Sequence, residues 1–191
     1  MKPGAGDVEP VGAFVDACIE RHDEARRLAA ADPTLLRATW AGDPLLHWFV
    51  IEDFQGAAQL VLDLGAAIDE RDEDGRTALH YACSFGRLGM VRLLLQRGAD
   101  RDLVNEHFHE NPLHLATAGT HLGVVLVLLQ HGARADYVLK TLDTIFRAMR
   151  NWPPEVRDLL LPDLRACGVT RESVFAKLAG IYESPEQAFG W

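Results

Sequence analysis

One unit recurs along this chain at a fixed interval of 33 or 34 residues, and that period constrains the fold more than any other feature. Its clearest copy is Asp74–Asp102, which reads D-G-R-T-A-L-H-Y-A-C-S-F-G-R-L-G-M-V-R-L-L-L-Q-R-G-A-D-R-D. The copy contains a helix start at Thr77, a short apolar stretch, a polar break at Phe85–Arg87, a second apolar run and a glycine stop at Gly98. Leu113-His114 and Gly132 stand 34 residues after Leu79-His80 and Gly98, and Leu46-His47 and Gly65 stand 33 before them. A period of this size means supersecondary units that bury their apolar faces on one another, not one core folded back on itself.

The units share a local grammar. Each opens with a polar residue that can satisfy free helix N–H groups: Asp43 before Pro44, Thr77, and Asn111 before Pro112. Each closes on a glycine suited to the left-handed position after a helix: Gly65, Gly98 and Gly132. In the first full unit, Thr39–Asp69, this predicts helices over Pro44–Glu52 and Gln55–Leu64, with Asp43 as the cap. Asp74-Gly75 marks the turn of a short hairpin between units. The hairpin 105–110 holds one extra residue, which accounts for the step of 34, and has His109 where a glycine would serve; a bulged or reshaped loop is expected.

Thr77-Ala78-Leu79-His80, Asn111-Pro112-Leu113-His114 and Gly98-Ala99-Asp100 resemble the T-P-L-H and G-A-D signatures of the ankyrin repeat family. The resemblance covers roughly Phe14–Gly168 and is strongest over Gly42–Asp136. It implies an all-α solenoid of about five helix–turn–helix units, with short β-hairpin loops and helical caps at both ends. The first full unit departs from the pattern: Pro44 replaces the signature Thr, and Phe49 stands where a small Ala usually packs.

The ends follow from this frame. Residues 1–10 are rich in Gly, Pro and acids and read as a flexible tail. Residues 11–169 form the repeat domain. In Val11–Ala31 the apolar period permits one long helix, whereas the resemblance implies two, broken near His22-Asp23, as a terminal cap. Thr144–Gly168 reads as a degenerate fifth unit and residues 170–191 as a C-terminal helical cap, closed by Phe189 and Trp191.

Charge narrows the function classes. There are 28 acidic residues against 19 basic, a net charge of −9. That balance repels phosphate backbones and speaks against nucleic acid; it favours a basic partner through long-range steering. No run approaches the ~20 apolar residues that cross a bilayer, and Met1–Asp7 lacks the apolar core of a signal peptide. Cys18, Cys83 and Cys167 form no C-x-x-C and read as reduced thiols. A cytoplasmic, monomeric protein is expected.

No active site assembles. G-x-S-x-G is absent, Gly86-Arg87-Leu88-Gly89 lacks the glycines and strand of a phosphate loop, and the acid pairs Glu70/Asp72 and Glu73/Asp74 sit in a hairpin. His47, His80 and His114 recur once per unit, roughly 10 Å apart if the units pack as neighbouring helices do. That is too far to share one ion at ~2 Å bonds, and the resemblance implies that they tie neighbouring turns by hydrogen bonds. His107-x-His109, flanked by Glu106 and Glu110, supports the alternative function, a metal- or small-ligand-dependent regulator, if alternate strand residues face one way. No enzyme activity, cofactor or metal is expected.

What the resemblance does imply is recognition of another protein through hairpin tips and the outer side of each first helix, on the concave face. Carried over by position, the partner-binding residues are Trp40, Asp43, Ile51 and Glu52; Glu73, Asp74, Arg76, Ser84 and Phe85; Glu106, His107 and Glu110; and Trp152. Trp40, Ile51, Phe85 and Trp152 would make an aromatic and aliphatic stripe rimmed by acids, the usual composition of an interface centre; alternatively Trp40 and Trp152 cover the ends of the stack. One version of this function is an acidic inhibitor or immunity protein that masks a basic toxin or enzyme.

Overall fold

The computed structural model describes residues 9–105 and 107–134. The expected tail as far as residue 8, the degenerate fifth unit, the C-terminal cap, Cys167 and two of the expected binding residues, Glu106 and Trp152, lie outside them. The chain divides into two compact units, Met1–Asp100 and Arg101–Trp191.

The first unit begins with α1 (Glu9–Glu20) and α2 (His22–Ala31). They are two helices, as the resemblance implies, and the break falls on Arg21, whose backbone sits at φ −138°, ψ 63°. α1 buries Phe14, Val15, Ala17 and Cys18, and α2 buries Ala25 and Ala29. A 3₁₀ turn follows over Pro33–Arg37, with the Asp32 carboxylate accepting from the Thr34 N–H at 3.0 Å.

Two helix pairs complete this unit: α3 (Leu45–Ile51) with α4 (Gln55–Asp63), and α5 (Ala78–Ser84) with α6 (Leu88–Gln96). First helix packs on first helix, α3 on α5, and second on second, α4 on α6, while α1 lies against α4. A seven-residue helix cannot hold itself together in water, so its stability comes from the apolar face it buries. For α5 that face is Ala78, Leu79, Ala82 and Cys83, all fully buried. Phe49, at the position of Ala82 one period earlier, is also fully buried. The step from Ala to Phe is absorbed in the core rather than pushed to the surface.

Both helices of each pair end alike. After α6 the Gly98 N–H bonds to the Leu95 carbonyl at 3.1 Å and the Ala99 N–H to the Leu94 carbonyl at 3.0 Å. This doubled closure consumes two orphan carbonyls and requires a left-handed residue; Gly98 supplies it at φ 87°.

The start of α3 differs from expectation. Pro44 occupies the cap position and no side chain caps the helix. Asp43 instead belongs to a strand: β1 (Thr39–Trp40) pairs antiparallel with β2 (Asp43–Pro44), Thr39 opposite Pro44 and Trp40 opposite Asp43. The chain is still in its hairpin when it reaches Asp43, so that carboxylate sits one residue too early to cap.

The described part of the second unit holds a hairpin closed by Asn105 and Glu110, then α7 (Pro112–Ala118) and α8 (Leu122–Gln130). Here the cap is as the sequence predicts: the Asn111 side chain accepts from the His114 N–H at 2.7 Å. The extra hairpin residue is present too. Four residues separate Asn105 from Glu110, whereas three separate Asp72 from Arg76, where the Asp72 N–H donates to the Arg76 carbonyl at 2.9 Å. His109 takes the left-handed backbone, φ 55°, that Gly75 holds at φ 76°.

Candidate functional site

The N-terminal unit presents one continuous arrangement of hairpin tip and first-helix side chains. It is built from the buried histidine upward. His47 is fully buried, and its Nε2–H donates to the Arg76 carbonyl at 3.0 Å. The carbonyl can only accept, so Nε2 is the donor. This bond fastens the second hairpin to α3. The hairpin is closed from within by the Asp72 carboxylate, which accepts the Arg76 N–H at 2.8 Å. Its other oxygen accepts the Tyr81 hydroxyl at 2.7 Å, tying the hairpin to α5. His80, also fully buried, fastens the start of its own helix: Nδ1 accepts the Thr77 N–H at 3.1 Å and lies 2.8 Å from the Thr77 hydroxyl.

Tyr81 is the hub of the arrangement. Phe85 stacks on it with ring centroids 6.2 Å apart at 18°, and His47 meets it edge-on at 5.9 Å. The Arg76 guanidinium lies 5.9 Å over the same ring, within cation–π range. Burial, reinforced by the Asp72 contact, pushes the Tyr81 phenol up to about 12, so it stays a neutral donor. Phe85 is 50% exposed, one of two large apolar side chains so exposed among the described residues.

One period earlier stand the partners of these positions. Trp48 is 33 residues before Tyr81, Glu52 is 33 before Phe85, and Trp40 is 33 before Glu73. Trp40 meets Trp48 edge-on at 6.4 Å, and Trp48 contacts Phe49 at 5.5 Å and Phe54 at 5.6 Å. Trp40 is half-buried against Trp48, so it is part of an aromatic cluster and not a lone projecting anchor. At two of these three positions an aromatic in one repeat is in register with an acid in the adjacent one, while Trp48 and Tyr81 are aromatic in both.

Electrostatics at the hairpin tips is unfavourable to the fold. Burial raises the Asp43 carboxyl above its usual range; His47 opposes the shift, and the charges of Asp72 and Asp74 add to it. Glu52, Glu73, Asp74 and Ser84 are exposed, whereas Ile51 and Arg76 are half-buried. Sequence position thus brings Trp40, Asp43, Glu73, Asp74, Arg76 and Phe85 into the N-terminal arrangement, and Glu52 follows from its register with Phe85.

The second unit carries its own hairpin. His107, Phe108 and His109 are exposed, Phe108 at 54%, and Glu110 is half-buried. The Asn105 side chain accepts from the His107 N–H at 2.9 Å, folding the tip into a turn. His107 and His109 are turn residues, not strand residues, so the rule that alternate side chains face one way does not apply to them. Among the described residues no three His, Cys, Asp or Glu gather as a metal site. Burial lowers the His114 pKa below the ordinary histidine value, against the opposing pull of Glu110. Cys18 and Cys83 are free and buried, and burial pushes the Cys18 thiol up to about 12, far from thiolate reactivity.

A family model described as ankyrin repeats (3 copies) matches over residues 14–105 and again over 46–141. The chain belongs to the ankyrin repeat family. Its hairpin-and-helix-pair units are those of an all-α ankyrin solenoid. Among curated proteins, it is 37% identical over 101 residues to human (Homo sapiens) protein phosphatase 1 regulatory subunit 27, covering 53% of this chain and 57% of that protein. It is 47% identical over 47 residues to human ankyrin repeat domain-containing protein 63, covering 25% and 12%. The human palmitoyltransferase ZDHHC13 is 40% identical over 62 residues, 32% of this chain and 10% of that protein. The chain thus spans little more than half of the phosphatase subunit, at 57%, and far less of the others. Among the described residues no helix is long and apolar enough to cross a membrane.

Reading by repeat position overlooked Tyr81 and Trp48. A signal was present: both are aromatic, they stand at equivalent positions 33 residues apart, and Tyr81 precedes Phe85 by four residues, one helical turn.

Proposed function

We propose that this ankyrin chain is a non-catalytic protein–protein interaction module. It binds its partner through the hairpin tips and first-helix ends of the N-terminal unit, the concave side in the family's usual geometry. The observation that carries the reading is Phe85, half exposed yet held in place by stacking on Tyr81. A single exposed Phe needs no explanation, but one stacked on Tyr81, which also carries His47 and the Arg76 guanidinium, is a fixed aromatic surface that a partner can cover. The similarity to a protein named as a phosphatase regulatory subunit supports the same class of function, since a subunit acts through another protein.

The net charge of −9 favours a basic partner. In its sharper form the proposal is an inhibitor or immunity protein: a monomer, acting in the cytoplasm, that masks a basic toxin or enzyme. Affinity capture with wild-type and Phe85→Ala baits, followed by titration of the purified captured protein, tests the reading. A partner bound by the wild type and lost by a stably folded Phe85→Ala supports it. Equal binding by both baits removes the site.

A further inference from the structure

The stacked Tyr81–Phe85 pair specifies more than a generic partner. The inference rests on the recognition reading above and deepens it. We infer that the face centred on Phe85 receives an arginine-bearing segment of the partner. A guanidinium stacks on the Phe85 ring and pairs with the carboxylates beside it.

Three observations converge. First, the molecule already performs this chemistry on itself: the Arg76 guanidinium lies 5.9 Å over the Tyr81 ring. Phe85 continues that π surface at an interplanar angle of 18° and, being half exposed, offers it to solvent. Second, the period sets an acid at the position equivalent to two of the aromatics, Glu52 to Phe85 and Glu73 to Trp40, and the first helices of these repeats, α3 and α5, pack together. A planar cation can stack and pair at once in such a pattern, which a point charge does less well. Third, the acids lack ion-pair partners. Among the described residues no hydrogen bond or ion pair engages the carboxylates of Asp43, Glu52, Glu73 or Asp74. Asp43 is held above its usual pKa by burial and by like charges, so a bound cation relieves a cost that the free protein bears. A neutral apolar partner segment would cover Phe85 but leave that repulsion in place.

The test uses the full chain and two capped peptides, one of four Gly-Arg repeats and one of four Gly-Lys repeats. Binding is followed by calorimetry at about 0.15 M salt, where exposed charges are screened beyond ~8 Å. The arginine peptide should bind about fivefold tighter than the lysine peptide. Phe85→Ala and Phe85→Leu, each checked for an unchanged melting temperature, should both abolish that preference, because leucine keeps the bulk and loses the π face. Glu52→Gln should weaken both peptides alike. Equal affinity for the two peptides, no binding of either, or a preference that survives both Phe85 substitutions overturns the inference. If in those cases capture of the natural partner still depends on Phe85, the recognition reading stands and only its arginine chemistry falls.

Discussion

His47 donates its Nε2–H to the Arg76 carbonyl at 3.0 Å, 29 residues along the chain, while its buried Nδ1 has no partner among the described residues. The contrast with the next repeat explains the orphan. There Thr77 supplies an N–H and a hydroxyl to Nδ1 of His80. At the equivalent position of the earlier repeat stands Pro44, which has neither. A buried acceptor left unmet costs about 1–3 kcal/mol, and proline returns about 0.4–1 kcal/mol by restricting the unfolded chain. Pro44→Thr should therefore stabilise the protein by about 1 kcal/mol in chemical denaturation. Pro44→Ala, with the N–H alone, should fall between the two. A Thr variant less stable than wild type would mean that Pro44 is required by the hairpin.

A second prediction concerns the turn between α7 and α8. Thr120 sits at φ 57°, in the left-handed region that its counterpart one repeat earlier, Gly86, occupies at φ 66°. A β-branched residue is strained there by about 1–2 kcal/mol. The neighbouring Gly119 serves another purpose: a Cβ on it would lie 2.5 Å from the His121 ring. Thr120→Gly should raise the melting temperature and Gly119→Ala lower it. Gly98→Val should also destabilise, by about 1–3 kcal/mol. Its cause is conformational alone, since no atom lies within 4 Å of a Cβ built there. Unfolding curves of the three variants check the signs independently.

Asp43 gives a pH prediction. Burial holds its carboxyl above the ordinary value of 3.8. The native state therefore binds the proton more tightly than the unfolded chain does. Its stabilising contribution is complete below 3.8 and is lost as pH rises through the folded value. Asp43→Asn removes that loss. It should melt higher than wild type at pH 7, match it at pH 3, and bind a basic partner more weakly. Melting scans at the two pH values, with a binding titration at pH 7, separate the effects.

The repeat framework was legible because it is written twice, in period and in punctuation. Gly65, Gly98 and Gly132 mark helix ends that the structure places within a residue of the expected positions. The caps at Thr77 and Asn111 were legible because a short polar side chain before an apolar run has one common use. The same reasoning failed at Asp43: a helix cap and a hairpin strand both accept Asp before Pro, and only the pairing with Trp40 decides between them. The site was half legible. Exposure at Phe85 follows from repeat position, but the hub role of Tyr81 does not. It depends on a hydroxyl reaching back nine residues to Asp72, a contact that no period encodes. His107 and His109 were misplaced for a related reason: the turn at Asn105 ends the strand before either is reached.

Tyr81 and Phe85 make the last prediction, because their stacked rings have separable duties. Tyr81 is half-buried and donates to Asp72, so its hydroxyl belongs to the fold. Tyr81→Phe keeps the ring and removes that bond, and it should cost about 1 kcal/mol of stability. It should also loosen the 72–76 hairpin, seen as faster amide exchange at Arg76, while the stacking surface for a partner persists. Phe85 is half exposed, and in the proposed function its ring serves recognition. Phe85→Ala should leave stability within about 1 kcal/mol of wild type and weaken partner binding by about 2 kcal/mol, as hot-spot truncations do. If the two duties are separate, the double variant adds in stability, because alanine removes nothing the hydroxyl needs. It should not add in affinity, because a loosened hairpin matters less once the ring beside it is gone. Additivity in both quantities, or a Phe85→Ala protein that unfolds readily, would place Phe85 in the core of the stack and leave the face without a centre.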